Sequence, residues 1–344
     1  MNRSAILLAL LAAALFGAST PLAKLLLGQV DPWMLAGLLY LGAGIGLGLV
    51  HVGRRVLGMG RAEASLVRAD LGWLGLVILT GGIMGPLLLL FGLRLADAAG
   101  ASLLLNLESV ATLGIAWLVF RENVDRRLLL GAVAIVAGAL VLAWQPGAHL
   151  ISGGSVLIAA ACVCWGIDNN LTRKLSGADP LQIAMIKGLV AGAVNLGIAL
   201  AVGQSLPAQG IILGSGLVGF LGYGLSLALF VAALRHLGAA RTGAYFALAP
   251  FVGAVLAVAL GDAVSWQLAL AAAFMGAGLW LHLTEQHAHD HDHDLLNHDH
   301  RHVHDAHHQH GHDNAGPHSH PHQHGPLRHE HAHYPDLHHR HGHS

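Results

Sequence analysis

Charged residues fill only 11% of the 344 positions, less than half of the roughly 25% found in an average soluble domain. So little charge argues against a water-soluble globule. An excess of either sign is also missing: a formal net charge of −1 leaves no electrostatic footprint for nucleic acid. Cysteine is limited to Cys162 and Cys164. Two thiols cannot make a disulfide framework, and at this spacing they lie on different faces of a helix. The apolar runs lack the alternation of a β-barrel. No nucleophile–base arrangement or phosphate loop emerges, so the chain does not read as an enzyme. Gly214, Gly216 and Gly219 spell a dinucleotide-like pattern, but inside an apolar helix with no strand before it.

What is present is apolar and small. Hydrophobic residues make up 54% of the chain and glycine contributes 45 positions, a composition that lets membrane helices pack closely. Runs of about 20 apolar residues, enough to cross ~30 Å of hydrocarbon, lie near 5–27, 32–52, 71–93, 98–120, 128–145, 154–175, 181–203, 211–234, 240–260 and 266–284. The first continues past Pro21 and reads as an uncleaved span, not a secretory leader. With the N-terminus in the cytoplasm, twelve Lys and Arg fall in cytoplasmic segments and two, Lys24 and Arg94, on the opposite side. That asymmetry is the positive-inside signature. The expectation is an all-α polytopic protein of ten transmembrane helices in the inner (plasma) membrane. Lipid surrounds it, both termini are cytoplasmic, and a homodimer is a candidate assembly.

The spans repeat. Phe16-Gly17 through Asp31-Pro32 corresponds to Trp165-Gly166 through Asp179-Pro180, at an offset of 149 falling to 148. Further on, Gly92-Leu93-Arg94 corresponds to Ala233-Leu234-Arg235 at an offset of 141. Five spans per unit turn the second unit upside down, the plan of many secondary transporters, whose substrate sites lie at the repeat interface. Three regions follow: residues 1–146, 147–284 and a tail, 285–344. On Phe16-Gly17 with Pro21, Trp165-Gly166 with Arg173-Lys174, Ala247-Leu248-Ala249-Pro250, Glu122, and the Gly138 and Gly276 regions, residues 4–284 resemble the EamA family of drug/metabolite transporters. The resemblance implies an exporter or exchanger of small metabolites. One departure is that the stretch answering to Pro250 is Asn106-Leu107-Glu108-Ser109, with a carboxylate in it.

Ionisable groups inside a span are functional candidates. Glu108 lies ten residues into its span, ~15 Å deep at 1.5 Å per residue, and is a candidate for coupling substrate movement to protons. A neutral Glu bonded to Asn106 is the structural alternative. Asp168 and Lys187 flank the turn at Ser176–Pro180 nearly symmetrically. In an antiparallel pair they share one depth, as a clamp or as part of a substrate site. Asn169, Asn170 and Asn195 extend this polar set. The substrate site is therefore expected among Glu108, Asn106, Asp168, Lys187, Asn169 and Asn195.

The tail has 23 His from Gln286 onward and almost no large apolar residues, so it is expected to stay disordered. Its His-x-His units, at His287, His289, His291 and His293, at His298, His300, His302 and His304, and at His318, His320, His322 and His324, are candidate ligands for zinc, nickel or cobalt. No cofactor is required by this reading, and the partner is a small-molecule substrate. The function expected is alternating-access transport of small polar metabolites. The alternatives are a divalent-metal carrier and a membrane-anchored metal buffer or sensor.

Overall fold

The computed structural model describes residues 3–57, 66, 68–121, 124, 126–144, 151–172, 175, 179–237 and 239–283, and in the tail 290–293, 296–302, 318–324 and 327–330. Glu122, Arg173, Lys174, His287, His289 and His304 lie outside them. Residues 1–284 form one compact unit, in which the described elements are helices joined by short loops. Nine of its helical runs are long and apolar enough to cross a membrane, with Ala249–Ala259 as a shorter apolar helix beside them.

In chain order, span 1 is Arg3–Leu26 and span 2 is Pro32–Val56. Span 3 runs through Leu71–Val77, a π-wound Ile78–Met84 and Gly85–Leu95. Span 4 is two helices, Ala98–Leu104 and Leu107–Leu118, and span 5 is Arg126–Ala143. Span 6 is Gly153–Thr172 and span 7 is Pro180–Ala201. Span 8 joins Gln209–Gly219, a π-wound Phe220–Leu225 and Ser226–Leu237. Span 9 is again two helices, Ala239–Phe246 and Ala249–Ala259, and span 10 is Trp266–Leu283. The irregularities therefore recur: π-turns in spans 3 and 8, breaks in spans 4 and 9, each at an offset of about 141.

The Asp-Pro pairs that mark the repeat act as helix starts. Asp31 accepts from Trp33 N at 3.0 Å and Asp179 from Leu181 N at 2.8 Å. Each is an N-cap followed by a proline whose missing N–H costs nothing at the first position.

Packing crosses between the two sets of five spans. Span 2 lies along span 7 and span 5 along span 10; spans 3 and 4 pack on span 6, as spans 8 and 9 pack on span 1. Glycine makes the close approaches. A β-carbon on Gly253 would sit 2.7 Å from Gly17 O, one on Gly188 2.8 Å from Gly44 N, and one on Gly278 2.6 Å from Gly131 O. Without a hydrophobic drive between helices in lipid, such backbone contact is the main source of association. Leucines and valines on the outer faces, Leu49, Val133 and Val255 among them, are exposed, as lipid contact requires.

The tail is a separate unit. Asp290–His293 pairs antiparallel with Leu327–Glu330, and Leu296–His302 with His318–His324. The His-x-His alternation is compatible with extended backbone, although two-stranded ribbons lacking an apolar layer are marginal in water.

Candidate functional site

Span 4 breaks without a proline. Asn106 N and Glu108 N each reach back three residues, to Leu103 O at 3.0 Å and Leu105 O at 3.0 Å, a 3₁₀ tightening of the ladder. The Asn106 amide donates to Leu103 O at 2.8 Å, and the Ser109 hydroxyl to Asn106 O at 2.8 Å. Across the break, Cys162 Sγ of span 6 lies 3.7 Å from Leu104 O. Polar side chains thus hold open what proline opens elsewhere. In span 9 the break does have its proline: Pro250 is the second residue of the lower half, the position that Glu108 holds in span 4. Lacking an N–H, Pro250 leaves the ladder unpaired there, and Phe251 N and Val252 N both turn to Leu248 O at 3.0 Å.

The two breaks face one cavity of about 480 Å³. Asn106, Glu108, Ser109 and Thr112 line it from span 4, and Phe246, Ala247, Ala249 and Pro250 from span 9. Phe16, Asn169 and His282 come from spans 1, 6 and 10. Glu108 is half-buried. Its carboxylate accepts from Asn169 Nδ2 at 2.8 Å, and the same amide lies 3.2 Å from Thr112 Oγ1. At the first turn of a helix the negative charge also meets the positive end of the helix dipole. Phe16 and Phe246 stand with ring centroids 5.3 Å apart. His282 Nε2 is 2.9 Å from Leu128 O.

Asp168 and Lys187 form an ion pair, as their symmetric placement about the turn predicts. It is buried, with side-chain exposures of 8% for Asp168 and 19% for Lys187, and it is not among the residues lining the cavity. Instead it rests on the π-turn of span 3. There Gly85 N reaches back five residues to Thr80 O; the next donor in that pattern, for Gly81 O, would be Pro86, which has none. Tyr40 OH and Trp165 Nε1 donate to Gly81 O instead, at 2.9 and 3.1 Å. A β-carbon on Gly81 would collide with the Asp168 carboxylate. Asn195 is fully buried, and its amide lies 3.4 Å from Gly82 O.

The sequence-predicted polar set therefore divides. Glu108, Asn106 and Asn169 share the cavity, while Asp168, Lys187 and Asn195 form a second cluster where spans 3, 6 and 7 meet. Asn169 and Asn170 both point at span 4, with Asn170 Nδ2 3.0 Å from Thr112 O. His282, Phe16 and Phe246 escaped notice as site residues. His282 stands at the edge of a histidine-rich tail, and nothing in the sequence sets the two phenylalanines apart from lipid-facing ones. Among the described residues no group of three or more His, Cys, Asp or Glu is placed to hold a metal ion.

Among the described residues, nine long apolar helices with a shorter tenth beside them, paired irregular helices and a cavity at their breaks define a multi-pass membrane protein. The chain matches the EamA-like transporter family twice, over residues 3–144 and 152–284, and it belongs to that family. It is 33% identical over 257 residues to an uncharacterized transporter of Methanothermobacter thermautotrophicus, covering 70% of this chain and 75% of that one. It is also 28% identical over 188 residues to a probable amino-acid metabolite efflux pump of Salmonella typhimurium, covering 54% of this chain and 58% of the pump. A crystal structure with 20% identity superimposes with a TM-score of 0.60, covering 82% of this chain and 96% of the other. At that identity the likeness concerns the fold.

Proposed function

We propose that the protein is a secondary transporter that exports or exchanges small polar metabolites by alternating access, and that the cavity at the two helix breaks is its substrate site. The observation that carries this reading is the meeting of both broken helices at Glu108. Irregular backbone at membrane depth is tolerated where it lines a cavity, and paired discontinuous helices mark transporter binding sites. The efflux-pump name of one relative supports outward movement of a small metabolite. Five spans per repeat make the second set inverted, and the excess of Lys and Arg on one side supports both termini in the cytoplasm of an inner-membrane protein. In this reading Glu108 exchanges a proton with substrate. The Asp168–Lys187 pair holds spans 6 and 7 together, and the histidine tail buffers divalent zinc, nickel or cobalt.

The test is exchange of metabolites in proteoliposomes across a pH step. Glu108→Gln keeps the shape but cannot release a proton, so the pH dependence of exchange should vanish while the protein still inserts and elutes as a folded species. A mutant that keeps the wild-type pH dependence removes Glu108 from coupling.

A further inference from the structure

We infer that the cavity selects organic cations, alkyl- or arylalkylammonium compounds, over zwitterionic amino acids of the same skeleton. The inference rests on the transport reading above and narrows its substrate class. Among the described residues that line the cavity, Glu108 is the single carboxylate and there is no Lys or Arg. The nearest buried ammonium described, Lys187, is already committed to Asp168. An ammonium entering the cavity therefore finds a counter-ion, held forward by the Asn169 amide. The paired rings of Phe16 and Phe246 add faces on which a cation is attracted by the ring quadrupole, most strongly when desolvated.

A carboxylate on the same molecule would find little. Helix starts are the usual uncharged hosts for such a group, and at both of those at the cavity the second and third N–H positions are engaged or missing. At span 9, Pro250 has no N–H, and Phe251 N and Val252 N both donate to Leu248 O. At span 4, Glu108 N and Ser109 N donate to Leu105 O and Asn106 O, and Glu108 itself would repel an anion. His282 is turned to Leu128 O. An α-carboxylate would thus be desolvated beside a like charge with no described cation to meet it, which is a basis for rejection.

The experiment compares the full-length protein's binding of phenethyltrimethylammonium, a fixed cation that does not leak through lipid, with its binding of phenylalanine, by calorimetry in detergent. Uptake of both into proteoliposomes follows. The cation should bind saturably and at least tenfold more tightly than phenylalanine, and unlabelled phenethylamine should displace it. Glu108→Gln should weaken cation binding at least tenfold, and Glu108→Asp, which keeps the charge on a shorter stem, by less. Phenylalanine bound as tightly as the cation, no cation binding by folded protein, or equal binding by wild type and Glu108→Gln overturns the inference. The wild-type comparison needs no variant to fold. Failure of the transport reading is seen separately, as absence of Glu108-dependent exchange with a pool of cellular metabolites.

Discussion

Removing one member of the Asp168–Lys187 pair should damage the protein far more than removing both. Asp168 is 6% exposed overall, and its carboxylate takes the Lys187 ammonium on one oxygen and the Thr172 hydroxyl, at 3.4 Å, on the other. Asp168→Asn leaves the lysine ammonium without an anion. The neighbouring Gly81 carbonyl already accepts from Tyr40 and Trp165. Breaking a buried pair from one side costs about 3–5 kcal/mol, whereas replacing both charges by groups of similar volume is often near neutral. The double change Asp168→Asn with Lys187→Met should therefore recover most of the loss, leaving a deficit of about 1 kcal/mol or less on the same principle. Unfolding in graded denaturing detergent, followed by tryptophan fluorescence for wild type, both single mutants and the double, closes the cycle. If the double mutant's loss equals the sum of the singles to within about 0.5 kcal/mol, the side chains do not interact, and the clamp is refuted.

Three further outcomes follow from the same geometry. Gly166→Val puts bulk where even a β-carbon would lie 2.9 Å from Ala111 and Thr112 backbone atoms; overpacking should cost about 1–3 kcal/mol, read in the same unfolding assay. Pro250→Ala restores a backbone N–H and removes the ring's clash, so span 9 should straighten. The variant should unfold later while its exchange rate in proteoliposomes falls; unchanged exchange would show that the break is not needed. Truncation after Glu285 should leave insertion and exchange intact but abolish high-capacity zinc binding, measured by equilibrium dialysis. In the intact chain that binding should be strong above the ordinary imidazole pKa of ~6.5 and fade below it, since a protonated ring cannot ligate.

The spans and the repeat were legible because hydrophobic length and small-residue spacing act over many residues at once. The Asp168–Lys187 contact was legible too, since equal distances from one turn fix equal depths in an antiparallel pair. The paired irregularities were not. Pro250 signals a break in span 9, but span 4 opens through Asn106, Ser109 and a three-residue reach of the backbone, none of which any single residue type announces. The π-turns of spans 3 and 8 are equally silent: Pro86 marks only where one of them ends. Nor does sequence spacing tell that Asn169 serves Glu108 and not its neighbour Asp168. That choice is made by how span 6 is rotated against span 4, which close contact at Gly166 sets.

Each set of five spans finds its glycine-lined partners mainly in the other set, and this bears on how the chain is made. Emerging from the ribosome, spans 1 and 2 enter the bilayer with Gly17 and Gly44 facing only lipid. Their partners, Gly253 and Gly188, are more than a hundred residues from synthesis. The early half must wait in the membrane as a loose group of inserted helices, and tertiary packing comes late and all together. Two halves expressed as separate chains, cut in the loop before span 6, therefore carry between them the surfaces needed to reassemble, while each half alone lacks most of the surfaces it closes upon.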